Sequence, residues 1–211
     1  MNVFVPYVTF IKHAEKVTKS SKLKTRPILQ TVLHKDNYVA VTDSHRLYFA
    51  DNVYEGEEKT IDLASGQAVE RGVYPDITKL IQDESHAKFN HIIDVLPTYE
   101  AVRAIEIASK INKAFDSLEL ELEIGEKLLA IKTTSDTEVN VNYSPIKPPS
   151  DDHSINSSEF IMFNIKYIKE LFHLLKDARV DKVVLQYFGN NRPIQFRAGN
   201  FTAVVMPISQ V

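Results

Sequence analysis

Asp43, Ser44, His45 and Arg46 stand side by side, and an acid, a hydroxyl, an imidazole and a guanidinium in one tetrapeptide invite a hydrolytic reading. A serine nucleophile, however, needs a base, an orienting acid and an oxyanion site assembled in space. The chain has no Gly-x-Ser-x-Gly elbow and no phosphate-binding glycine loop. Its seven histidines, at 13, 34, 45, 86, 91, 153 and 173, show no ligand spacing such as i, i+4. The absence of cysteine excludes disulfides, thiolate zinc sites and thiol nucleophiles together. The expectation is a binding protein with no catalytic residue, no metal and no cofactor.

The remaining chemistry is electrostatic. The 211 residues carry a net charge of −3, which by itself argues against a nucleic-acid partner. The distribution says more than the sum. Residues 10–26 hold Lys12, Lys16, Lys19, Lys22, Lys24 and Arg26 against the single acid Glu15. Residues 51–76 hold Asp51, Glu55, Glu57, Glu58, Asp62, Glu70 and Asp76 against Lys59 and Arg71. A run of like charge is usually a solvated face, so it becomes a site only if the fold gathers it with others. Met1 to Phe10 has no basic region leading into an apolar run. No apolar stretch approaches the roughly 20 residues that span a bilayer. A soluble, cytoplasmic protein is expected.

The elements that must position these charges are legible from periodicity. Pro6 to Ser20 reads as a helix with Phe10, Ala14 and Val17 on its apolar stripe and Lys12, Lys16 and Lys19 together on another face. Ile28–His34 and Tyr38–Thr42 read as strands joined by Lys35-Asp36-Asn37, followed by a third strand at Leu47–Ala50. Thr98 is a candidate N-cap for a helix to about Phe115, with Val102, Ile105, Ala108, Ile111 and Phe115 inward. Strict alternation then predicts strands over Leu118–Ile124, Leu128–Thr133 and Glu138–Tyr143. A proline-rich loop leads to a strand at Phe160–Phe163, and Asn164 caps a helix to about Ala178. Three strands close the chain: Lys182–Tyr187, Pro193–Arg197 and Phe201–Met206.

The hairpins Ile28–Thr42 and Leu118–Lys132 superpose at an offset of 90, and each follows a helix. A repeated helix-then-hairpin unit predicts an α+β fold in two similar domains, 1–95 and 96–211. The first is the shorter copy, because residues 51–95 leave no room for the helix and strand set that the second has at 160–207.

At this point the residues resemble a known family. Arg26-Pro27-Ile28-Leu29 and Val41-Thr42-Asp43-Ser44-His45-Arg46-Leu47 are similar to the bacterial DNA sliding clamp, the β subunit of DNA polymerase III. In that family a strand ends in Ala-Thr-Asp-Gly-His-Arg-Leu; here Ser44 replaces the glycine. Val73-Tyr74-Pro75-Asp76, Phe163-Asn164-Ile165-Lys166-Tyr167-Ile168 and Val204-Val205-Met206-Pro207-Ile208 extend the resemblance in the same order. The match is to the middle and last of the clamp's three domains.

The resemblance implies the clamp fold, a processivity role in replication, and helices that meet duplex DNA phosphates without reading bases. It assigns DNA contacts to Lys12, Lys16, Lys19, Lys22 and Lys24, to Arg103, Lys110 and Lys113, and to Lys166, Lys169 and Lys176. It also implies a cleft for the peptide tails of polymerases and other clients. One wall would be Arg26, Ile28, Thr42, His45, Arg46 and Leu47, with His45-Arg46 carrying charge to an exposed edge. The other would be Pro193, Val204, Met206, Pro207 and Ile208. A clamp loader and a homo-oligomeric ring, dimer or trimer, follow if the chain is a true clamp. The alternative is a non-encircling interaction protein that mimics or modulates a host clamp.

Overall fold

The computed structural model describes residues 3–19, 26–70, 72–111, 117–123, 129–132, 158–189 and 192–208. Lys22, Lys24, Lys113 and the strand expected at Glu138–Tyr143 lie outside these.

Helix α1 spans Tyr7–Thr18 and buries Phe10, His13, Ala14 and Val17. It leads to β1 (Thr31–Lys35), β2 (Tyr38–Thr42), β3 (Arg46–Ala50) and a strand not foreseen from sequence, β4 (Lys59–Asp62). The second unit runs β5 (Phe89–Asp94), likewise not foreseen and paired with β9 although it precedes residue 96, then α2 (Val95–Ile111), β6 (Ser117–Glu123), β7 (Leu129–Lys132) and β8 (Ser158–Asn164). It ends with α3 (Ile165–Asp177), β9 (Lys182–Tyr187), β10 (Ile194–Ala198) and β11 (Phe201–Val205). Asn164 caps α3 as expected, its Oδ1 accepting the Lys166 N–H at 3.0 Å.

Three local expectations are corrected. The strand foreseen from Ile28 starts at Thr31, because Pro27 opens a short 3-10 turn over Pro27–Gln30. α2 begins at Val95, not at Thr98. Pro97 is tolerated in a first turn, where its missing N–H has no intrahelical acceptor, and the Thr98 hydroxyl donates back to the Asp94 carbonyl at 2.7 Å. The hairpin repeat is real but slid: Ala40 faces Leu33, whereas Ala130 faces Glu121 where the offset of 90 called for Glu123. A slip of two residues keeps every side chain on its own face.

Eight strands form one antiparallel sheet in the order β4-β1-β2-β3-β11-β10-β9-β5, and β7-β6-β8 form a second. The two sequence halves therefore join edge to edge through β3 and β11, with Leu47 opposite Val204 and Tyr48 opposite Ala203. Alternation sorts the sheet's faces. Val39, Val41, Tyr48, Ala50, Phe196 and Val205 join the core cluster that includes α1, α2 and α3 residues such as Phe10, Val102 and Leu171. On the opposite face Leu33, Ala40, Leu47 and Val204 are covered by Ile77, from the segment that links the two halves. Among the described residues no helix is long and apolar enough to cross a membrane, and no three His, Asp or Glu side chains gather as a metal site.

Two polar clusters fix the helices. Arg46 begins β3 on the same face as Tyr48, so its guanidinium points inward and is only 3% exposed. It bonds Asp43 Oδ2 at 3.1 Å and Glu170 of α3, and lies 4.5 Å from the centre of the Tyr167 ring. The expectation that Arg46 carries charge to an exposed edge is thus overturned by the strand's alternation. The second cluster is the α1–α3 seam. His13, 1% exposed, bonds Asp177 Oδ2 at 3.0 Å through Nε2, and its Nδ1 has no partner among the described residues. A proton on Nδ1 would be an unsatisfied buried donor, and burial holds the imidazole down at about 4. Burial alone would raise Asp177, but hydrogen bonds from Lys12 and His13 outweigh it and hold the carboxyl at about 2.

Arg46→Ala strands Glu170 and Asp43 without their cation and is expected to cost about 3–5 kcal/mol in urea unfolding. Arg46→Met combined with Glu170→Leu, which removes both charges, should recover much of that loss.

Stability should also fall as pH drops from about 6.5 to about 4. In that window the unfolded chain takes up a proton that folded His13 refuses, a loss of up to about 3 kcal/mol. Asp177 acts elsewhere: its contribution is full above its ordinary 3.8 and is lost only as pH falls through about 2. His13→Gln should therefore flatten the pH dependence of the urea midpoint between pH 7 and 4.

Candidate functional site

The three helices lie side by side, α3 touching both α1 and α2, and their outer faces make one surface. On α1 with its C-cap Lys19, and on α3, the lysines are Lys12, Lys16, Lys19, Lys166, Lys169 and Lys176; the acids are Glu15, Glu170 and Asp177. Glu170 is buried on Arg46, and α2 adds Glu100 and Glu106 against Arg103 and Lys110, so the cationic excess comes from α1 and α3, on a chain whose net charge is −3. Fold, rather than local sequence, brings the 10–19 and 166–176 clusters together.

The lysines differ in how firmly they are engaged. Lys12, 68% exposed, bonds Asp177 at 2.8 Å, and Lys19 pairs with Glu15 one turn earlier. Exposed pairs of this kind are worth about 0–1 kcal/mol, so another anion can replace the carboxylate. Arg103 is exposed on α2, 3.8 Å from Glu100, and Lys166 is exposed at the start of α3. Lys169 is different: its ammonium meets both oxygens of Glu106 at 2.7 and 2.8 Å and bolts α3 to α2. Lys16 was expected beside Lys12 and Lys19 but turns into the seam, where Nζ donates to His173 Nδ1 at 3.1 Å. Burial lowers its pKa. Lys176 lies over the Tyr99 ring at 4.6 Å. The side chain of Lys110 is outside the described residues.

The second group of expected residues collects at the β3–β11 junction. Thr42 is interior: its N–H donates to the Tyr74 hydroxyl at 3.2 Å and its Oγ1 to the Arg46 carbonyl at 2.7 Å. Ser44 takes φ +71 at the turn, the conformation a glycine adopts more readily, and Asp43 Oδ1 steadies the turn by accepting the N–H groups of His45 and Arg46. Leu47 and Val204 face each other but lie beneath Ile77. His45 is exposed and stacks on Tyr167, with Arg26 reaching Ser44 Oγ at 3.4 Å. The chain leaves β11 with Met206 N–H on the His45 carbonyl and Ile208 N–H on the Met162 carbonyl. Met206 and Ile208 are 39% and 41% exposed, beside half-buried Pro207; Pro193 is also half-buried. Ile28 stands apart, lining a groove of about 450 Å³ with Thr18, Pro27 and Leu63.

Sequence reasoning missed the linker's part in this surface. Tyr74, Ile77 and Ile81 cap the outer face of the junction, and Gln82 exchanges hydrogen bonds with Gln195 of β10 at 3.0 and 3.1 Å. The available signal was an apolar residue every three or four positions, at 74, 77 and 81, blurred by Val73 and Leu80, which are apolar but exposed.

No protein-family profile and no curated protein matches the sequence. Solved structures do. The chain is similar to the DNA polymerase III β chain of Streptococcus pneumoniae, with TM-score 0.72 and 18% identity over 96% of this chain and 63% of that one. It is similar to the DNA polymerase sliding clamp of Bacillus subtilis, with TM-score 0.71 and 18% identity over 96% and 62%. The Helicobacter pylori β clamp bound to a DNA ligase peptide gives TM-score 0.70 and 13% identity over 99% and 65%. The chain spans less than two thirds of the length of each. Over nearly its whole length it has the α+β fold of the bacterial DNA polymerase III β subunit, the sliding clamp, in a form shorter than those solved chains.

Proposed function

We propose that this chain is a shortened, clamp-type processivity factor for DNA replication. Its helix layer lies against duplex DNA, and its strand junction holds peptide tails of polymerase-type clients. The observation that carries the reading is the segregation of charge. An acidic chain with a clamp fold places lysines from residues far apart in sequence on the one helical face. Ammonium groups on long stems meet phosphates as point charges, without base readout, and so permit sliding. Lys12, Lys19, Lys166 and Arg103 are the outward contacts; Lys16, Lys169 and Lys176 mainly hold the helices that present them. Met206, Pro207 and Ile208 with His45 and Arg26 form the client surface, an apolar strip with polar flanks, where the flexible thioether adapts to varied side chains. A DNA ligase peptide on the Helicobacter pylori clamp supports that kind of partner. The role needs no catalytic group; a clamp loader enters only where a ring must be opened.

A second reading is favoured by the internal pairing of Lys12, Lys19 and Lys169. In it the chain keeps the peptide surface but binds DNA weakly, and modulates a host clamp.

Duplex affinity measured by fluorescence anisotropy across a salt series separates the two. A clamp-type protein gives a steep log–log slope, and the pair Lys166→Ala with Arg103→Ala lowers that slope by about 2. A flat salt response with retained client-peptide binding supports the second reading. Met206→Ser with Ile208→Ser should weaken a polymerase tail peptide at least about tenfold, roughly 1.4 kcal/mol, and leave the urea midpoint nearly unchanged because both side chains are exposed.

A further inference from the structure

Lys16 stands apart from the other lysines of α1. Lys12 and Lys19 are exposed, whereas Lys16 is half-buried, with its Nζ 3.1 Å from His173 Nδ1. An ammonium has three donors and no acceptor. His173 Nδ1 therefore accepts, so the ring is neutral and carries its proton on Nε2. That nitrogen faces Asp177 Oδ1 at 3.6 Å, while Asp177 Oδ2 takes Lys12 at 2.8 Å and His13 Nε2 at 3.0 Å. The Tyr99 ring of α2 stacks on His173 with centres 5.4 Å apart, and the His13 ring meets it edge-on at 4.9 Å.

The bond from Lys16 exists only while His173 is neutral. A proton added at Nδ1 turns the acceptor into a donor and sets two cations against each other across the same 3.1 Å. His173 is held between the Tyr99 and His13 rings, whereas Lys16 is a half-buried ammonium on a flexible four-carbon stem. Lys16 is the group that moves. Its spacing, i+4 from Lys12 and i−3 from Lys19, gives it room on the outer face beside both. Burial, with repulsion from Lys16, Lys176 and Lys12 against attraction from Asp177, holds the His173 imidazole below its ordinary value. Lys16 itself is attracted by Glu170 and Asp177 and repelled by Lys169 and Lys12.

We propose that His173 is a positioning residue that decides whether Lys16 is a DNA contact: a neutral ring stows Lys16 in the α1–α3 seam, and a protonated ring releases it to join Lys12 and Lys19 at the phosphates. This inference rests on the helix-layer reading above. Duplex and proton then bind cooperatively. A phosphate that draws Lys12 off Asp177 leaves the carboxylate free to pair with the His173 imidazolium, and the same proton frees Lys16 for a second phosphate. Protonation adds one phosphate contact, and by reciprocity bound duplex raises the pH at which His173 titrates.

The test follows duplex anisotropy against salt at about pH 7.5 and about pH 5, on either side of the ordinary imidazole value. In the unaltered protein the log–log slope is expected to steepen by about 1 at the lower pH. Lys16→Gln should give one slope at both pH values. His173→Phe keeps a ring on Tyr99 but offers no acceptor, and should give the steeper slope at both. Every other histidine is common to these proteins, so a pH-dependent slope that survives in Lys16→Gln overturns the inference. So does a His173→Phe protein that keeps the original pH dependence. NMR of the free, unaltered protein supplies a measurement that needs neither variant nor DNA. The Lys16 Cε resonance should shift with the midpoint at which the His173 ring titrates, and a Lys16 signal indifferent to that titration overturns the inference. If no duplex binds at either pH, the helix-layer reading fails instead, and the Lys16 resonance still decides whether His173 releases the lysine.

Discussion

Arg46 can be buried because three parts of the chain converge on it. β3 delivers the guanidinium to the inner face of the sheet, the turn before β3 supplies Asp43, and α3 supplies Glu170, with the Tyr167 ring against it. Desolvating an arginine is costly unless its charge and donors are met. The cluster therefore exists only when β3 lies beside β11 and α3 lies over the junction. That pairing makes one sheet of two sequence halves and sets the helix layer at a fixed height above it. α1 depends on it in turn, since α1 meets α3 through His13 and Asp177. The exposed tail at Met206–Ile208 depends on it too, through the bond from Met206 N–H to the His45 carbonyl.

The same convergence gives the two faces of the molecule different chemistry. Inward-facing positions on the strands are apolar apart from Arg46 and a few others, so the helices press a dry core and their outer surfaces are free to be cationic. The outer face of the sheet is covered across the β3–β11 junction by the linker, which hides Leu47 and Val204 but leaves Met206 and Ile208 in solvent. The two surfaces proposed above, one for phosphate and one for a client peptide, both hang on this junction, the second through His45 on Tyr167 and Ile208 on Met162.

Much of this was legible in the residues. The helices α1 and α3, the strand β2 and the Asn164 cap follow from periodicity and a capping side chain, which are local signals. The 3-10 turn at Pro27 and the early start of α2 were not, because both hang on how proline is accommodated beside a neighbouring element. β4 escaped notice because Lys59–Asp62 is short and mostly polar; it is a strand only because β1 takes up its backbone. The direction of Arg46 was misread for a related reason. A charged residue at a strand end is ordinarily solvated, and the acid that buries it, Glu170, lies far away in sequence. Lys16, Lys169 and Lys176 show the same limit: helical spacing groups them with outward lysines, while the neighbouring helix decides which way they turn.

Amide exchange across the whole chain, with and without a short duplex at low salt, tests most directly whether the helix layer is the DNA-facing surface. Slowed exchange confined to α1, the start of α3 and the exposed side of α2, with the linker and the sheet's outer face unchanged, is the expected result. Duplex-dependent protection centred on the linker or on β4, or none at a concentration where the duplex is bound, would contradict it.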